Sequence, residues 1–194
     1  MSSKPAQEPV IHPSNIVMSL VLMGITALFV GLSGAYIYSR VTTGISAPFP
    51  PVMFYVTVVL LLAANRIIRV AKQRMWDESM DNVMKLLVAG LIVTFVFAVI
   101  QVLGWLEFFS GDQAIQKSNT LAYLFVLSAL HHLHVVAGMP FLLYFIIKLH
   151  RTPVVDLQLQ PKNKRYVKNL ARYWNFIDVL WILLVAMLVG SAFI

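Results

Sequence analysis

The stretch LHHLHVVAG, residues 130–138, sets His131, His132 and His134 inside an otherwise apolar segment. An imidazole can ligate a metal or haem, relay protons, or hydrogen-bond a carboxylate, so this cluster is open to several chemistries. Other polar groups in apolar surroundings are few. Gln101 and Glu107 share one segment, and Asn175 and Asp178 share another, framed by Trp174 and Trp181. Ionisable groups inside apolar spans are costly and usually face protein or a cavity, which makes each of them a candidate.

Helical geometry narrows the choice. His131 and His134 are three apart and share a face, whereas His132 points elsewhere. A haem held between helices takes an axial ligand from each side. The remaining histidines, His12 and His150, lie in the tail and at a segment edge, so one helix would have to supply both ligands. No carboxylate or cysteine cluster completes a metal shell beside them. The chain has no cysteine, which excludes disulfides, thiolate metal sites, iron–sulfur clusters and covalent haem. The expectation is that this chain alone ligates no metal or haem. A complete proton path needs titratable groups from one face to the other, and the first two apolar segments supply none. Counting depth along the helices puts His134 and Asp178 at nearly the same level. That predicts a buried imidazole–carboxylate bond, with Asn175 one turn away.

The elements that carry these residues follow from composition. Of 194 residues, 59% are apolar and 12% are charged, with a mean hydropathy of +0.79; soluble domains are about 25% charged. Five apolar blocks reach the roughly 18 residues a membrane helix needs, and in lipid an apolar block must be a helix. The predicted fold is all-α: a polytopic bundle of five transmembrane helices over roughly 16–38, 52–70, 83–109, 120–149 and 174–194, after a short polar tail over 1–15. The tail lacks the apolar core of a signal peptide. Arg66, Arg69, Lys72 and Arg74 stand at and beyond the end of the second block, and Lys148, Arg151, Lys162, Lys164, Arg165, Lys168 and Arg172 at and beyond the end of the fourth. The other two connections carry Arg40 and Lys117. The positive-inside rule then places the N-terminus in the cytoplasm and the C-terminus in the periplasm. The formal charge of +7 thus reports topology and implies no nucleic acid, although the basic loop could also meet anionic lipid headgroups. Trp76, Trp105 and Trp174 fall near expected interfaces. Ala27, Gly31 and Ala35, with Gly24 and Gly34 beside them, and Ala186 with Gly190, offer close-approach faces either within the chain or toward a partner.

Three stretches together resemble subunit III of the haem–copper terminal oxidases, the cytochrome c oxidase family. YWNFIDVLW, residues 173–181, is similar to the family's Y-W-H-F-V-D-V-V-W. LHHLHVVAG resembles G-F-H-G-L-H-V-x-x-G, placing His131, His134, Val135 and Gly138 on the pattern. QVLGWLE resembles Q-x-x-E-Y-x-E, matching Gln101 and Glu107. The resemblance runs from about residue 16 onward, and the five helices look like the last five of the family's usual seven, a shorter form of bacterial oxidases. It implies a subunit without redox centres that packs on the catalytic subunit I, supports proton uptake there, stabilises the complex and binds phospholipid. Haem and copper are then expected in partner subunits, in a bacterial cytoplasmic (inner) membrane. Gln101, Glu107, His131, His134, Trp174, Asn175, Asp178 and Trp181 are implied to make structural, lipid or partner contacts. The chain departs from the pattern at Ile25, Gly104, His132, Lys168 and Asn175. Alternatives are an accessory subunit of a quinol oxidase or nitric oxide reductase, and a quinone- or haem-binding electron carrier.

Overall fold

A computed structural model describes residues 13–43, 52–75, 80–108, 119–151 and 161–192. They form five helices: α1 (Pro13–Thr43), α2 (Val52–Arg74), α3 (Met80–Phe108), α4 (Asn119–Arg151) and α5 (Pro161–Ala192). All five are long and apolar enough to cross a membrane. Large apolar side chains cover the outside: Val30 is 66% exposed, Phe95 62%, Leu133 62% and Leu183 61%. In water such a continuous surface would drive aggregation, whereas against acyl chains it is the natural exterior. The chain is a multi-pass membrane protein.

The helices run beyond the apolar spans. Polarity over 150–172 predicts a loop, yet α5 begins at Pro161. Proline suits a first helical turn because its missing N–H would be unpaired there anyway. The polar extension still buries Val167 and Leu170, in register with Trp174 and Ile177 below, so a helical stripe persists where mean apolarity fails. Pro140 lies inside α4 on an exposed position, where it removes one i→i−4 bond without meeting a packed neighbour. Residues 1–12, most of the expected tail, and Trp76 lie outside the described residues.

Successive helices alternate in direction. Trp105 on α3 donates to Ser128 on α4, and Tyr173 on α5 donates to the His134 carbonyl on α4. The first and last helices run parallel, joined at both ends. Tyr36 shares a 2.7 Å hydroxyl bond with Ser191, and Asn169 donates to the Ser14 carbonyl at 3.4 Å. Helix α5 packs on α1, α2 and α4, while α2 lies along α3 for most of its length. The buried side chains therefore converge on the space between α2, α3, α4 and α5. Phe54, Leu61, Phe97, Leu127, Val135, Trp174, Ile177 and Trp181 all fill it.

Candidate functional site

The core of this space is an aromatic stack built around His131. Each of the four inner helices contributes one ring. His131 is fully buried and lies against Trp181, with ring centroids 4.6 Å apart and planes 19° from parallel. Phe97 meets His131 edge-on at 6.2 Å and Trp181 edge-on at 6.1 Å. Phe54 stacks on Trp181 at 5.9 Å. Offset and edge-to-face contacts of this kind suit the ring quadrupoles and fix the angles between helices.

The other two histidines face other neighbours. His132 packs on Trp105 at 5.0 Å and on Phe97 at 6.2 Å. It therefore belongs to the α3–α4 hairpin, where the Trp105 indole also donates to Ser128 at 3.0 Å. His134 turns toward α1, with its ring 6.1 Å from Phe29, and its Nδ1 bonds the Leu130 carbonyl at 2.6 Å. Its own carbonyl accepts from Tyr173 at 2.8 Å. Three histidines in four positions thus face three sides of α4, with Phe97 touching two of them.

The His134–Asp178 bond predicted from depth does not form. Tyr173, not Asp178, lies level with His134, and five residues along a helix is about 7.5 Å of rise and 140° of rotation. Asp178 points instead at the α2–α5 seam. Its electrostatic neighbours are Asn65, one turn inside the seam, and Arg69. The Arg69 guanidinium donates to the Asn175 side chain, so Asn175 links α5 to α2 on the exposed side while Asp178 is buried behind it. Trp174, Asp178 and Trp181, spaced four and three apart, form one stripe of α5 facing the core. All three are at most 3% exposed.

Gln101 is also buried, at 1% exposure, one turn along α3 from Phe97. Glu107 is exposed at the same end of α3. The Gln101–Glu107 pair therefore divides, with the amide in the core and the carboxyl at the helix end. Gly138 explains itself by contact. A Cβ there would sit 2.9 Å from the Tyr173 ring and 3.4 Å from Trp174, so only glycine lets α4 meet α5 so closely. The glycines of α1 behave differently: no atom comes within 4 Å of where a Cβ would lie at Gly24, Gly31 or Gly34, and the same is true of Gly190 on α5. Among the described residues nothing packs against those glycines.

Sequence reasoning passed over Asn65, Phe97 and Ser128, and took Tyr173 only as part of a motif. Asn65 had a signal, a lone amide in the run LLLAANRII, but its neighbouring arginines read as the start of a loop. Phe97 had none, because an aromatic among many says nothing about its partners, and the motif that holds Tyr173 did not point to its bond with α4. Among the described residues no three of His, Cys, Asp and Glu converge as a metal-ligating group, and the divergent histidines do not fit axial ligation of a haem.

Comparison with known proteins bears on the whole of this bundle. The family model described as cytochrome c oxidase subunit III matches residues 15–190. Cytochrome c oxidase subunit 3 of Gallus gallus is 22% identical over 142 residues, which is 73% of this chain and 51% of that protein. The chain spans about half the length of the curated relative it matches.

Proposed function

The chain belongs to the cytochrome c oxidase subunit III family, and from that footing we propose that it is a subunit of a haem–copper oxidase in a bacterial cytoplasmic membrane. Its role is non-catalytic. It packs on the catalytic subunit, holds that subunit's structure through turnover, supports its proton uptake, and takes phospholipid between its helices. Haem and copper are carried by the partners. The observation that carries this reading is the extent of the match, residues 15–190, which takes in nearly all of the five helices. The geometry supports it, since the three histidines face different sides of α4 and are not arranged to ligate a common group. Orientation with the basic end in the cytoplasm is supported by Arg66, Arg69 and Lys72 on α2 and Lys148, Arg151, Lys168 and Arg172 on α4 and α5.

The test is to tag the chain, extract it from native membranes in mild detergent, and record the reduced-minus-oxidised spectrum and oxygen consumption. Haem absorbance and oxygen reduction should co-purify with the tagged chain and be missing from the chain expressed and purified alone. Haem retained by the isolated chain would overturn the reading in favour of an electron carrier. Tagged chain that brings down no haem protein would remove the oxidase assignment altogether.

A further inference from the structure

Several polar side chains of the bundle interior find no partner among the described residues. Both ring nitrogens of His131, both amide atoms of Gln101, the Asn65 Oδ1 and the indole nitrogens of Trp174 and Trp181 are buried and unbonded, and the Asp178 carboxyl has the Asn65 side chain close by, beyond ordinary hydrogen-bond length. They are not scattered. Trp174, Asp178 and Trp181 share one stripe of α5, Asn65 faces Asp178 from α2, and His131 lies on Trp181 from α4. Gln101 stands one turn from Phe97, which touches both His131 and Trp181. Each of α2, α3, α4 and α5 therefore carries buried, unpaired polar groups on the side that packs in the bundle.

Buried polar groups in folded proteins are paired almost without exception, by protein or by ordered water. The chemistry of the lining says what would pair these. Carboxyl and amide oxygens are acceptors, indole N–H groups are donors, and an imidazole nitrogen can be either. A bare cation would be repelled by the indole N–H groups, and an anion by the Asp178 carboxyl. Water donates and accepts at once, and typically makes about three hydrogen bonds when buried.

We propose that the interior of the α2–α5 bundle is a built hydration site, in which ordered water completes the hydrogen bonding of the facing Asp178 and Asn65 side chains at one end and of His131, Trp181 and Gln101 at the other. The site is independent of the oxidase assignment, since it follows from the side chains of this chain alone. Its water ties α5 to α2, α3 and α4 by hydrogen bonds that the side chains do not make directly.

The experiment uses the full chain, with whatever subunits accompany it, in lipid nanodiscs. Infrared spectra are recorded in ordinary and oxygen-18 water, for the wild type, Asp178→Leu, Gln101→Leu and the lipid-facing control Leu133→Ala. The wild type and control should show narrow O–H stretching bands that shift with oxygen-18, and each interior variant should lose part of them. Melting temperature should fall by about 2–4 °C in the interior variants, the shift expected for losing a buried hydrogen bond in a chain of this size. Wild-type spectra without isotope-sensitive bands would overturn the proposal. So would interior variants that melt higher, because filling a dry polar void with leucine stabilises. A stoichiometric metal ion found by elemental analysis would replace water by a cation. Should Asp178→Leu not fold, the nearly isosteric Asp178→Asn serves, with shifted bands expected and unchanged bands counting against the site.

Discussion

Helices α1 and α5 lie side by side and parallel, yet they are built for opposite surroundings. Along α5 every third or fourth residue is buried, from Val167 through Leu170, Trp174, Ile177, Trp181, Leu184 and Leu188 to Ser191. Along α1 the buried positions reduce to Ile25, Phe29, Tyr36 and Ser39. Gly24, Gly31 and Gly34 stand in open space on α1, while Gly138 of α4 is pressed against the Tyr173 ring of α5. The lesson concerns what a small residue means. In a membrane helix it permits close approach, but whether anything approaches depends on the neighbours and not on the glycine.

Mutations on the two helices can break or sharpen this contrast. Trp181→Ala removes the ring that joins Phe54, Phe97 and His131, and should cost about 3–5 kcal/mol, measured as reversible unfolding in detergent–denaturant mixtures. A cost near zero would mean that α5 is not the centre of the bundle. Gly138→Leu should come next, at about 1–3 kcal/mol from overpacking against Tyr173 and Trp174, read as a lowered midpoint in circular dichroism. Tyr36→Phe deletes the bond between α1 and Ser191 and should cost about 0.5–1.5 kcal/mol. Protease accessibility of α1 would rise with it if that bond is what holds the helix in place. The smallest effect is expected at Gly31→Leu, with no loss and a gain of up to about 1 kcal/mol from helix propensity in the chain purified alone. A loss there in the isolated chain would show that the α1 face is covered by this chain after all.

Much of the architecture was legible in the residues because lipid leaves so few choices. An apolar block of sufficient length has to be a helix, so the five spans followed from hydropathy alone. The beginning of α5 did not, since Lys168, Asn169 and Arg172 dilute the apolar average while Val167 and Leu170 keep the helical stripe. Periodicity was the right signal there and mean polarity the wrong one. Candidate residues were legible by type, because an imidazole or carboxyl in an apolar run stands out. Their partners were not. His131 and His134 share a face by spacing, yet one stacks on Trp181 and the other turns to Phe29, since α4 is packed on several sides and 60° is enough to change neighbours. The depth count that paired His134 with Asp178 failed for a related reason. It fixed height from the span ends but not the rotation of α5, and that rotation aims Asp178 at Asn65.

The bonds at the two ends of the α1–α5 seam each join residues 155 positions apart. At the usual pace of synthesis, roughly 5–20 residues per second, α1 exists for about 8–30 s before Asn169 and Ser191 do. Through that interval the first helix must stay in the bilayer, or with an insertion factor, without either anchor. Closing the seam must therefore wait for α5, and a ribosome stalled between α4 and α5 would leave α1 held only by its packing on α4, without either hydrogen-bonded anchor.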